Sequence, residues 1–158
     1  MTLVFDRHRP KDKIVISDQD ESPPESMRCV IVVDAALPPG RAANAAAVIA
    51  LTLGKRHPYL AGPDLVDASG NVHPGLIPIG IAVLAAGAPE IDAVRAKALK
   101  DGVDVVDFPV QGQQTTDYVA FSAQVREVPT AGLTYVGVGL YGRRKAVGRI
   151  VGRFSLLK

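Results

Sequence analysis

Asp34 and Arg41 stand seven positions apart at the two ends of one short loop that follows an apolar run. A carboxylate can take or hold a proton, and a guanidinium beside it can neutralise an anion or a developing oxyanion. Between them lie two prolines and Gly40, and after Arg41 an alanine-rich stretch begins, with Asn44 in its first turn. A helix starting at this point offers free backbone N–H groups and a positive helix end to the same space. The ordinary alternative for Asp34 is a salt bridge, or capping of that helix, which would pin the loop.

A second polar segment, Gln111, Gln113, Gln114, Thr115, Thr116 and Asp117, follows an apolar run at 103–108. If that run and the one before Asp34 end on a common edge, the segment faces the first loop. Thr115 could hold a water or a substrate, Asp117 could act as a base, and the glutamines and Thr116 could hydrogen-bond a ligand. Asp117 and Thr115 also suit the cap and first turn of a following helix. The candidate catalytic set is therefore Asp34, Arg41, Thr115 and Asp117. Gly40, Asn44, Gln111, Gln113, Gln114 and Thr116 form the candidate binding set.

The elements that must carry these residues are legible as alternating strands and helices. Residues 29–33 are apolar without a break, as in a strand buried on both faces. A thin alanine helix is predicted from 41 to about 53, ended by Gly54, basic residues and Pro58. A small hairpin pairs 65–66 with 72–73. Strands are predicted at 76–84, 103–108 and 135–141. Helices are predicted at 89–101, at 115–125 with Tyr118 and Phe121 towards the core, and at 143–154. This alternation predicts a three-layer α/β sandwich, a four- to five-stranded mixed sheet with helices on both faces. Residues 1–27 are densely charged and read as an arm or linker, with 14–16 as a candidate extra edge strand. Residues 28–158 form one domain.

Composition narrows the function classes. The chain has 158 residues and a formal net charge of +2, too near neutral to argue for nucleic acid on its own. Lys145, Arg149 and Arg153 recur every four residues and could meet phosphates, but without interleaved aromatics they read as a solvated helix face. Cys29 is the only cysteine, which excludes an internal disulfide and fits a cytoplasmic protein. The longest apolar run, about a dozen residues, is too short for a bilayer, which needs roughly 20. His57, His73, Asp64 and Asp67 match no metal-ligand spacing, so neither metal nor cofactor is expected. The alanine faces permit a homodimer.

Two stretches resemble the type II peptidyl-tRNA hydrolases. In that family a strand ends in Asp, a loop ends Gly-Lys, and a small-residue helix follows; here Asp34, Gly40-Arg41 and Ala42-Ala43 stand at matching spacing. The family's closing pattern, Val-Thr-Gly-His-Leu-x-Leu-Leu, corresponds to Ile150-Val151-Gly152-Arg153-Phe154-Ser155-Leu156-Leu157. The resemblance implies the family's fold and hydrolysis of an ester or amide bond in a tRNA-linked or similar substrate. Departures accompany it. Arg41 replaces a lysine, Ala45 and Val48 fall where the family carries Gln and His, and a glutamine stands where its catalytic aspartate should be. A neutral amide cannot serve as a general base. The sequence is thus similar to an uncharacterised, domain-of-unknown-function branch of this fold. The alternative function is a non-catalytic module binding a small anionic or nucleotide-like ligand.

Overall fold

The computed structural model describes residues 26–158. Strand β1, Met27–Asp34, is the centre of the molecule, and its residues from Cys29 to Val33 are buried. It pairs in parallel with β4, Ile81–Ala86, on one side and antiparallel with β6, Tyr135–Arg143, on the other. Strand β5, Asp104–Pro109, completes the sheet against β6, giving the order β4-β1-β6-β5. The short strands β2, Leu65–Val66, and β3, Val72–His73, form the separate hairpin expected from the sequence.

Alternation along β1 divides the core in two. Cys29, Ile31 and Val33 pack with Ala42, Ala45, Ile49 and Leu53 of helix α1, Pro39–Arg56. Val30 and Val32 pack with Ile91, Val94 and Ala98 of helix α2, Ala88–Lys100, and with Val147, Ile150 and Val151 of helix α4, Arg144–Val151. Helix α1 thus covers one face of the mixed sheet, and α2 and α4 cover the other. The outer edge of β4 is partly closed by the C-terminal tail, where Leu156 bridges Leu84.

Element boundaries differ from the expected ones for identifiable reasons. Helix α1 starts at Pro39, whose fixed φ suits a first helical position. It continues through Gly54 to Arg56 and stops only at His57, which Pro58 holds outside the helical region at φ −129° and ψ 71°. Strand β4 begins at Ile81 rather than near Leu76, because Gly80 takes a positive φ of 71° and turns the chain first. Glu90 accepts the Gly87 N–H at 2.9 Å and so fixes the start of α2. Helix α3, Tyr118–Arg126, starts after Asp117 and has no buried residue. Tyr118, expected in the core, is 79% exposed, packed edge to face only with Phe121. Strand β6 runs on to Arg143, and α4 ends at Val151. The candidate strand at 14–16 lies outside the described residues. No described helix is long and apolar enough to cross a membrane.

Candidate functional site

Asp34 ends β1, and its Oδ1 accepts the Ala36 N–H at 2.9 Å, a turn-forming bond within the loop. Arg41 and Asn44 are exposed on the first turns of α1, and the position of a Cβ on Gly40 faces open space. The segment after β5 forms a single 3-10 turn, Val110–Gln113, whose Gly112 lies against the Phe108 ring. Gln113 reaches across to α1: its Nε2 donates to the Arg41 carbonyl at 2.9 Å and to Asn44 Oδ1 at 3.3 Å. The Oε1 atoms of Gln111 and Gln113 are buried without a hydrogen-bond partner.

The other members of the second segment serve local structure. Asp117 caps α3, accepting the N–H groups of Val119 at 2.8 Å and Ala120 at 3.4 Å, and Thr115 Oγ1 accepts the Asp117 N–H. Gln114 and Thr116 are exposed. One contact therefore joins the two candidate segments, through Gln113, while Asp34 and Asp117 hold a turn and a cap.

A denser constellation lies at the opposite edge of the sheet, where α1 ends and β5 begins. His57 Nε2 stands 2.6 Å from Asp104 Oδ2, and His57 Nδ1 stands 2.8 Å from the Tyr59 hydroxyl. Arg56 grips the same carboxylate with two bonds, Nε to Oδ2 at 2.9 Å and Nη2 to Oδ1 at 2.5 Å. The Arg56 hydrogen bonds, with a smaller contribution from His57, hold the Asp104 carboxyl below the usual carboxylate range. An ionised carboxylate only accepts, so in the neutral imidazole Nε2 carries the proton and Nδ1 is left to accept the Tyr59 O–H.

Tyr141, on β6, packs its ring 4.3 Å from that of His57. Burial, then the neighbouring Tyr59 hydroxyl, pushes its pKa up to about 12, so it remains a neutral hydroxyl donor. His57, Tyr59, Asp104 and Tyr141 line a cleft of about 710 Å³ together with Lys145 and Arg149 of α4. Neither Lys145 nor Arg149 has an ion-pair partner among the described residues, whereas Arg153, next in the same stripe, pairs with Glu90 and stacks on Phe154. Among the described residues no three His, Cys, Asp or Glu side chains gather as a metal site. His73 binds Asp67 in the hairpin instead, and Cys29 is buried with its thiol pKa raised by burial.

Sequence reasoning missed this cleft. The available signal was the run Arg56-His57-Pro58-Tyr59 at a helix end, with Asp104 as an unusual acid opening an apolar strand. Separation hid the connection, since the His57–Asp104 contact spans 47 positions.

Residues 27–158 match the family described as Protein of unknown function (DUF2000). A solved structure of a protein of unknown function from Agrobacterium tumefaciens strain C58 superposes with a TM-score of 0.76, at 18% identity, covering 82% of this chain and 96% of that one. No curated protein matches the chain. The structural likeness concerns the fold alone.

Proposed function

The chain belongs to this family of unknown function, and from the site itself we propose that it binds a small anionic ligand in the cleft between the end of α1 and the start of α4. One observation carries the proposal. Lys145 and Arg149, neither of them ion-paired to a carboxylate among the described residues, line a concave site beside the hydroxyls of Tyr59 and Tyr141. Cations lining a concave site attract an anion, and the Tyr141 hydroxyl supplies an oriented hydrogen bond. The test is thermal unfolding with phosphate, pyrophosphate, citrate and adenosine monophosphate. A ligand at about 100 times its Kd stabilises the fold by about 2.7 kcal/mol. The shift is expected in the wild type and much reduced in Lys145→Ala and Arg149→Ala. Equal shifts in all three proteins, or none in any, would sink the proposal.

A second reading is hydrolysis of an ester or amide bond at the other end of α1, as the peptidyl-tRNA hydrolase resemblance implies. The Gln113 bonds to Arg41 and Asn44 support it, because they bring the glutamine-threonine segment against the first turn of the helix. Here the Arg41 guanidinium would stabilise an oxyanion. Release of the peptide from a peptidyl-tRNA, lost in Arg41→Ala, is the result this reading requires.

A further inference from the structure

The geometry points to a proton-transfer site in the same cleft: Tyr59, backed by His57 and Asp104, takes the proton from the carbon beside the carbonyl of a bound 2-oxo carboxylate. This inference rests on the anion-binding reading above and deepens it from binding to turnover.

Three hydrogen-bonded groups make the relay. Asp104, fixed by Arg56 on both oxygens, faces His57 Nε2 at 2.6 Å, and His57 Nδ1 faces the Tyr59 hydroxyl at 2.8 Å. Asp104 therefore sets the tautomer that leaves Nδ1 open to receive a proton. Tyr59 is the exposed end of the relay, 65% accessible, while His57 and Asp104 sit behind it. In the step itself the substrate C–H bond breaks and its electron pair becomes the enolate. The proton goes to the Tyr59 oxygen as the Tyr59 proton moves to His57 Nδ1. The resulting imidazolium faces the Asp104 carboxylate, and the reverse transfer returns a proton to carbon. No oxidant, reductant or second substrate is consumed.

The lining of the cleft selects this chemistry. Among the described residues no Ser, Thr or Cys side chain borders it, so none of them offers a hydroxyl or thiol of the kind that forms an acyl intermediate. Deprotonating a 2-oxo carboxylate turns one negative charge into two, and the cleft offers two cations with no ion-pair partner among the described residues, Lys145 and Arg149. The remaining charges around it are Arg143 and the Asp101 carboxylate, which Lys97 already holds at 3.2 Å. Tyr141 adds a hydroxyl that can donate to the enolate oxygen.

The experiment is exchange of the C3 protons of pyruvate and 2-oxoglutarate in deuterated water, followed by proton NMR, with binding of each probe measured by calorimetry. General acid–base catalysis contributes about 100-fold or more. The wild type is expected to accelerate exchange over buffer by at least that factor, and so is Arg126→Ala on the distant helix α3. Tyr59→Phe and His57→Gln are expected to lose the acceleration while binding the probe within threefold of wild type. Binding without accelerated exchange in the wild type, or exchange that survives in Tyr59→Phe, overturns the relay and leaves anion binding standing. Failure of both probes to bind where phosphate or citrate does overturns the substrate class. Failure of every anion overturns both readings.

Discussion

Gly139 offers the sharpest test of how α1 sits on the sheet. It lies in mid-sheet on β6, opposite Ile31 of β1 and Val106 of β5. Directly over it, α1 presents Ile49 and Leu53, both fully buried. A Cβ placed on Gly139 would lie 2.4 Å from Ile49 Cγ2 and 2.8 Å from Leu53 Cδ1. Ordinary contact begins near 3.4 Å, so Gly139→Ala forces the helix outward or drives two core side chains off their rotamers. Overpacking of this kind costs about 1–3 kcal/mol. Lost glycine flexibility in the unfolded chain returns about 0.5–1 kcal/mol. The net expectation is a loss of about 1–2 kcal/mol, read as a fall in Tm of about 3–10 °C for a domain of this size.

Gly54→Ala provides the matched control. Gly54 lies inside the last turns of the same helix with nothing within 4 Å of a Cβ position. There the substitution should stabilise the fold by about 0.5–1 kcal/mol. Calorimetry of both variants therefore gives shifts of opposite sign. The steric origin of the first is checked in an Ile49→Ala background, where removal of Cγ2 should shrink the Gly139→Ala penalty by about 0.5 kcal/mol or more. If Gly139→Ala melts at or above the wild-type temperature, α1 does not press on β6 as described, and the packing argument fails.

Two further outcomes follow from single groups. With its pKa raised from about 10 to about 12, Tyr141 contributes stability that is fully present below about pH 10 and lost as pH rises through about 12. Alkaline unfolding monitored at successive pH values should therefore show a steeper loss in the wild type than in Tyr141→Phe; parallel curves would contradict the assignment. Replacing the α3 cap, Asp117→Ala, should cost about 0.5–2 kcal/mol locally. Because α3 buries no residue, faster amide exchange in α3 is expected with little change in global Tm. A large fall in Tm would show that α3 is coupled to the core after all.

The parts of the fold visible in the sequence were those written as local period or local punctuation. The unbroken run at 29–33 marked the doubly covered strand β1, and it is buried from Cys29 to Val33. The Ser-Gly-Asn turn marked the hairpin, and in the structure Asp67 accepts the N–H groups of Ser69 and Asn71. Spacing alone failed at α3, because a helical period shows that side chains share a face but not whether anything covers that face. Tyr118 has the period of a core residue and meets solvent. The insertion of β6 between β1 and β5 left no local trace either. Yet that order is what brings Tyr141 beside residues from the end of α1 and the start of β5.

The two candidate sites cannot be one site, and α1 is the reason. Its 18 residues span about 27 Å, with Arg41 and Asn44 near one end and Arg56 at the other. The positive end of the helix is met by the Gln113 carboxamide, which donates to the Arg41 carbonyl and leaves its own oxygen buried without a partner. Past the negative end, the chain turns at Pro58 and delivers His57 and Tyr59 to Asp104. A cation near a helix C-terminus is favoured by the dipole, and Lys55 and Arg56 occupy that position; Arg56 spends its charge on Asp104. The cleft's cations without an ion pair among the described residues come from a different element, as Lys145 and Arg149 of α4. Variants of Arg41 and Arg149 therefore report on separate chemistry. An anion-dependent rise in Tm abolished by Arg149→Ala and unchanged in Arg41→Ala assigns the ligand to the His57 edge, and the reverse pattern assigns it to the end of α1 that Gln113 contacts.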